Sequence, residues 1–214
     1  MYSVSRICER DVEDVMTFMK RTFFIDEPLY KGVGYCNSAS DDTPDLDEFC
    51  RAALPGVSLM AKNEEGSIVA TLICGISPIV NPTDFLSALK NCKCPKYKKV
   101  IQMMILREVI MEIWNIYPNE KQVFEIKMAS TDAKWRNKGI MNQLMKEAEN
   151  AAKELNIRVL RIETSSAYSA KSAERHGYKC VFSRAYTEFM LDGKPLILPE
   201  PPHTKDNVYV KELY

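Results

Sequence analysis

The chain has 214 residues, 46% hydrophobic and 27% charged, a composition that supports a substantial buried core and an ordinary polar surface. Its 29 Lys and Arg balance 29 Asp and Glu, so it lacks the basic excess of a general nucleic-acid binder. A local basic pocket for a phosphate group remains compatible with that balance.

Tyr2–Ile7 reads as a short strand, and its start, Met1-Tyr2-Ser3-Val4-Ser5-Arg6, has no apolar leader core. Asp11–Phe23 reads as a helix with Val12, Val15, Met16 and Met19 on one face, interrupted by Pro28. Tyr30–Thr43 reads as a loop and Leu46–Leu54 as a second short helix. Val57–Lys62 and Ser67–Ser77 are strands joined by the tight turn Asn63-Glu64-Glu65-Gly66. Asn81–Leu89 and Lys96–Tyr117 read as helices. The latter contains the most apolar stretch, but Gln102, Arg107, Glu108 and Glu112 make it an amphipathic buried helix and not a membrane span. Val123–Ala129 is a strand, followed by a helix with Leu144, Met145, Ala148, Ala151 and Ala152 in helical spacing. Ile157–Glu163 (strand), Ala167–His176 (helix), Tyr178–Met190 and Asn207–Leu213 (strands) complete the chain. The order β-α-α-β-β-α-α-β-α-β-α-β-β predicts a mixed α/β sheet of about seven strands flanked by helices. The one boundary candidate, near Pro78–Pro82, is too short for a linker, so residues 1–214 are read as one domain.

The seven cysteines are odd in number and scattered. Cys92-Lys93-Cys94 lacks zinc-knuckle spacing, and His176 and His203 are the only histidines. No metal is expected, and free thiols in a cytoplasmic protein are the reading. No membrane or nucleic-acid partner is expected.

The chemistry concentrates around Val123–Ala151. A strand there runs into Arg136-Asn137-Lys138-Gly139-Ile140-Met141 and then a long helix. First-turn N–H groups have no intrahelical partners, and the helix dipole puts partial positive charge on them. Arg136 and Lys138 add full charges, so the loop can hold a pyrophosphate.

This loop resembles the acetyl-CoA signature of the GNAT acyltransferases, Arg/Gln-x-x-Gly-x-Gly/Ala, with Arg136 and Gly139 matching and Met141 departing. The element order and Gly177-Tyr178 after the last helix fit the same fold. A sharper resemblance is to the insect arylalkylamine N-acetyltransferase branch. It rests on Phe23-Phe24-Ile25-Asp26-Glu27-Pro28-Leu29, on Cys94-Pro95-Lys96-Tyr97-Lys98-Lys99 leading to Ile116-Tyr117-Pro118, on the loop, and on Ser165-Ser166-Ala167-Tyr168-Ser169-Ala170.

The resemblance implies acetyl-CoA as co-substrate, held by Met128, Ala129, Ser130, Arg136, Asn137, Lys138, Gly139, Ile140, Met141, Ser169 and Lys171. It implies Glu27 as general base, Ser165 and Ser169 in binding and proton transfer, and Phe24, Glu27, Pro28 and Tyr168 around a small amine. An arylalkylamine is an ammonium at neutral pH, with a pKa of roughly 10, and must lose a proton before attack. Apolar Phe23, Phe24, Ile25 and Leu29 around Glu27 would raise its pKa by desolvation; a solvated helix-end residue is the plainer alternative. For Ser165 and Ser169 the plainer reading is a helix cap and a surface serine. The tyrosine acid of many GNAT enzymes is absent, because Ala173 stands four residues before Gly177. Met141 either crowds the pyrophosphate or points away. The acidic run Asp41, Asp42, Asp45, Asp47, Glu48 either attracts polyamines or is a solvated loop. The expected activity is N-acetylation of dopamine-, serotonin-, tyramine-, octopamine- or histamine-like amines by direct attack in a ternary complex, in a monomer. Alternatives are a catalytically altered paralogue that binds acyl-CoA, an acetyltransferase for other amines such as polyamines, or one for protein amines.

Overall fold

A computed structural model describes residues 1–79 and 83–214. Strands β1 (Tyr2–Arg6), β2 (Leu59–Asn63), β3 (Ile68–Pro78) and β4 (Gln122–Thr131) form an antiparallel meander. β4 then pairs in parallel with β5 (Val159–Thr164). After β6 (Lys179–Ala185) and the small hairpin β7 (Met190–Leu191) and β8 (Lys194–Pro195), β9 (Lys205–Glu212) inserts between β5 and β6. The seven-stranded order is β1-β2-β3-β4-β5-β9-β6, the mixed sheet read from the sequence. Central β3 is buried from Ile68 through Cys74, which explains why its apolar run is continuous and not alternating.

Helices α7 (Ile140–Glu154) and α8 (Ala167–Arg175) cover one face of the sheet. Leu144, Met145, Ala148, Ala151 and Ala152 of α7 are buried there, as their spacing predicts. The other face carries α1 (Val12–Met19), α2 (Pro28–Val33), α3 (Pro44–Ala53) and α5 (Pro95–Met111), with α4 (Thr83–Asn91) and α6 (Ile113–Ile116) beside them. No helix among the described residues is long and apolar enough to cross a membrane.

Several sequence expectations need correction. Tyr30–Val33 is helical and not loop, because Pro28 is the first residue of α2: proline lacks the N–H that this position leaves unused anyway. The first helix runs past Phe23, continuing from α1 as a π-helical turn over Lys20–Phe24. Lys96–Tyr117 is two helices, broken where Glu112 takes a left-handed φ of 46°. Tyr178–Met190 is not one strand, since a 3₁₀ turn at Tyr186–Glu188 separates β6 from β7. Asn81 and Pro82, expected to begin a helix and to mark a boundary, lie outside the described residues.

Between α5 and the sheet lies a buried ionic network. Arg107, 2% exposed, sets Nη1 at 3.3 Å from each oxygen of Asp206 and also meets Glu163. Arg161 joins Glu108 to Glu163, and Lys127 meets Glu125 at 2.7 Å. Meanwhile Val109 and Ile110 of α5 face outward, the reverse of a simple amphipathic helix. Removing one member strands the others. Arg107→Met is expected to destabilise the fold by about 3–5 kcal/mol, read from urea midpoints, with partial recovery in Arg107→Met/Asp206→Asn. Equal stability of Arg107→Met and the wild type would show that the network carries no energetic coupling.

Candidate functional site

The site begins where two strands part. β4 and β5 pair over Phe124–Ile126 and Leu160–Ile162, yet β4 continues to Thr131 and β5 to Thr164. Beyond Ile126, β4 keeps β3 on one edge and, among the described residues, has no strand partner on the other. Met128, Ala129 and Ser130 therefore bring backbone polar groups to an open edge, which needs hydrogen-bond partners. A register shift opposite Ile73/Cys74, where Lys127 is the extra residue, lies just before this opening.

The basic loop connects that edge to α7. Asn137 and Gly139 have left-handed φ values of 63° and 76°, and Gly139 is the N-cap residue of α7. Among the described residues nothing stands within 4 Å of where a Gly139 Cβ would be, so the space beside this N-cap position is open. Ile140 is buried. The Met141 side chain packs on the α7 apolar cluster, so of the two sequence readings the structure favours the one in which it points away. Arg136 donates from Nε to the Thr131 carbonyl at 3.2 Å and pairs through Nη2 with Asp26 at 3.2 Å. The Lys138 ammonium sits 4.5 Å from the centre of the Trp135 ring.

Across from the loop, the π-helical turn delivers Glu27 to the N-cap of α2, where Oε2 accepts the Tyr30 N–H at 2.9 Å. Such π turns recur at functional positions. Glu is not a preferred N-cap residue, and capping does not by itself account for a Glu that is only 7% exposed. Phe24, Pro28 and Leu29 are buried around it. Burial raises the Glu27 pKa from 4.5 to about 7, with the Ser165 hydroxyl and the Tyr30 and Leu29 N–H groups opposing the shift and Asp206 adding to it. A buried carboxyl poised near neutrality can exchange protons at physiological pH.

Ser165 follows β5 directly, so it stands on the far lip of the opening, with its hydroxyl near enough to Glu27 to favour the carboxylate. Ser166 caps α8 by accepting the Tyr168 N–H at 3.1 Å. Ser169 donates its hydroxyl to the Ser166 carbonyl at 2.9 Å, and that bond keeps it on its own helix. Lys171 is exposed, and Tyr168, 66% exposed, lies edge-on to His203 at 5.5 Å between ring centres. The structure thus brings Glu27 and Ser165 together, with Phe24 and Pro28 beside Glu27, and leaves Tyr168 and Lys171 on the rim.

Two residues here were missed in the sequence. His203 accepts the Ala167 N–H through Nδ1 at 3.2 Å, and its pKa is lowered by burial and by Lys31. Tyr186, deeply buried, donates its hydroxyl to the Ser165 carbonyl at 2.7 Å. Neither belongs to a local motif, since their partners lie 36 and 21 residues away in the chain.

Three members of the acidic run, Asp41, Asp45 and Asp47, are engaged in hydrogen bonds or ion pairs, and Asp42 and Glu48 are exposed. Asp41 accepts the Asn37 and Ser38 N–H groups at 2.8 and 3.2 Å. Asp45 accepts those of Lys93 and Cys94 at 3.0 and 3.1 Å, and Asp47 meets Lys20 at 2.7 Å.

Comparison with known structures places this architecture. The whole chain superposes on 99% of arylalkylamine N-acetyltransferase 2 from Aedes aegypti, with a TM-score of 0.92 at 23% identity. It superposes over the full length of both chains on the Drosophila melanogaster polyamine N-acetyltransferase that forms N-acetylagmatine, with a TM-score of 0.89 at 20% identity. A mosquito arylalkylamine N-acetyltransferase like 5b, also covered in full, gives 0.89 at 17% identity. At these identities the likeness is one of fold. The sequence itself, over residues 27–178 from the buried carboxyl through the basic loop to the end of α8, matches the acetyltransferase (GNAT) family model, and the chain belongs to that family.

Proposed function

We propose that the protein transfers an acetyl group from acetyl-CoA to small arylalkylamines, by direct attack of the neutral amine. The observation that carries this reading is the buried Glu27 carboxyl, with a pKa near 7, set against Ser165 where β4 and β5 part.

The residues present fit acetyl-CoA, a substrate that GNAT enzymes share. Helix N-terminal N–H groups at Gly139–Met141, with Arg136, Asn137 and Lys138 beside them, would hold its pyrophosphate. The free edge of β4 at Met128–Ser130 would hold the acyl end. Bound there, acetyl-CoA supplies an activated acetyl thioester. Edge N–H groups of β4 would donate to the thioester oxygen as charge grows on it. Glu27 takes the ammonium proton, directly or through water, so that the neutral amine attacks the carbonyl carbon; as the C–S bond breaks, the proton shed by the attacking nitrogen passes to the CoA thiolate through water or the Ser165 hydroxyl, which before the reaction favours the Glu27 carboxylate. Ser169 supports the Ser165–Ser166 turn in this arrangement through its bond to the Ser166 carbonyl.

Substrate choice follows from what surrounds Glu27. Phe24, Pro28 and the Phe23–Tyr30 pair at 6.2 Å provide apolar and aromatic surface. Ring burial adds about 0.5–1.5 kcal/mol per aromatic pair. Of the acidic residues that could draw a polycation, Asp41, Asp45 and Asp47 are tied into loop and helix contacts, and the exposed Asp42 and Glu48 are screened by salt. Asp26, the carboxylate adjoining Glu27, is already shared between Arg136 and Lys31, so a second positive charge on the substrate would compete with two cations for it. Tyramine-, dopamine-, serotonin- or histamine-like monoamines are therefore expected to show higher kcat/KM than spermidine- or agmatine-like amines. A CoA-release assay across an amine panel at 0.15 M salt tests this. A higher kcat/KM for polyamine, lost when Asp41, Asp42 and Asp45 become Asn, would instead make the acidic loop the selector. Acetyl-CoA binding without CoA release on any amine would point to a catalytically altered paralogue.

A further inference from the structure

Behind Glu27 and Ser165 stands a second layer that the reaction as described does not use. Tyr186 sits in the 3₁₀ turn after β6, buried to 2% exposure. Its N–H donates to the Thr204 carbonyl at 3.1 Å and its hydroxyl to the Ser165 carbonyl at 2.7 Å. One residue thus ties the segment entering β9, through its backbone, to the lip that carries Ser165, through its side chain. In the β5–β9 register Thr164 is opposite Asn207, which puts Asp206 at the next position, beside Ser165. Asp206 is 0% exposed and bonded through both oxygens to Arg107.

We propose that Tyr186 and the Arg107–Asp206 pair are positioning residues for the acetyl-transfer site, Tyr186 holding Ser165 against Glu27 while Asp206 sets a buried negative charge behind them. The proposal rests on Glu27 and Ser165 forming the working pair.

The groups facing Glu27 come from four elements: Tyr30 of α2, Ser165 after β5, Tyr186 after β6 and Asp206 of β9. On its own segment the neighbouring Asp26 is exposed and shared between Arg136 and Lys31. Asp206 is faced in turn by Arg107 of α5 and by Glu163 and Arg161 of β5, and burial raises its pKa to about 6. Two effects of opposite sign therefore meet at Glu27. The Ser165 hydroxyl favours the carboxylate, and the Asp206 charge opposes it. Weakening the first raises the Glu27 pKa; neutralising the second lowers it.

The test uses Tyr186→Phe and Asp206→Asn in the full chain, with two readouts: the acid limb of kcat/KM against pH, and the carbon NMR titration of the Glu27 carboxyl. Tyr186→Phe is expected to move both upward by roughly 0.5 pH unit and to lower kcat/KM at pH 7 by about threefold to tenfold. Asp206→Asn is expected to move both downward. A protein that merely lost stability would show no shift in the Glu27 titration. An unshifted titration in Tyr186→Phe, or shifts of the same sign in the two variants, overturns the proposal. If Asp206→Asn does not fold, Tyr186→Phe decides alone, since it removes a single oxygen. Should Glu27→Gln retain full turnover, the base assignment fails, while the NMR titration still reads the positioning layer independently.

Discussion

Glu27→Gln is expected to slow amine acetylation by about 10²-fold or more while making the folded protein more stable at pH 8. The rate loss follows because the amide keeps the shape and can still accept the Tyr30 N–H, but cannot take a proton. The stability gain follows from linkage. Burial raises the Glu27 pKa from 4.5 to about 7, so the folded state binds this proton more tightly than the unfolded chain. Its contribution is therefore most favourable below pH 4.5 and is lost as pH rises through 7. Above pH 7 the buried charge costs up to about 3 kcal/mol. Glutamine removes that cost, so the thermal midpoint of the variant should equal wild type near pH 4.5 and exceed it by roughly 5–10 °C at pH 8. Calorimetry at the two pH values and turnover across pH 6 to 9 check both halves. Wild-type turnover would remove Glu27 from the mechanism, and a midpoint difference independent of pH would show that its carboxyl is not destabilised by burial.

Arg136→Ala combined with Gly139→Glu is expected to abolish acetyl-CoA binding, lowering affinity by at least about 100-fold. The first change removes a charge-assisted phosphate contact. The second sets a negative side chain at the helix N-terminus, at a φ of 76° that a residue with a Cβ adopts with strain. The fold should survive. Among the described residues Arg136 is tied only to the Thr131 carbonyl and to an exposed Asp26, and such surface pairs are worth about 0–1 kcal/mol. Isothermal titration with acetyl-CoA on the folded variant is the measurement. Unchanged affinity would show that the pyrophosphate is held elsewhere. Because the Asp26 partner of Arg136 adjoins Glu27, the single Arg136→Ala variant also reads how far loop and base segment communicate.

The sequence alone determined those features whose signal is local and repeated. The strands were legible as short apolar runs bounded by turn residues, and α7 because burial of one helix face leaves a periodic pattern. The basic loop was legible because a phosphate cradle requires a strand end, a glycine and a helix start in immediate succession. Glu27 was singled out by the resemblance of Phe23–Leu29 to one acetyltransferase branch, with its apolar chain neighbours Phe23, Phe24, Ile25 and Leu29 in support. Tertiary structure alone decided what depends on one residue meeting another far away. Arg107 looked like part of a helix's polar face, yet its partners Glu163 and Asp206 come from two separate strands and make it an interior cation. Glu112 breaks the long helix in a left-handed turn that glycine would have announced and glutamate does not. Met141, read as a possible obstacle to the cofactor, turns into the α7 cluster because the rotation of that helix is set by Leu144, Met145 and Ala148 packing on the sheet. His203 and Tyr186 reach the site through single hydrogen bonds to Ala167 and Ser165. A lone long-range contact has no period and no spacing, so only the folded chain reveals it.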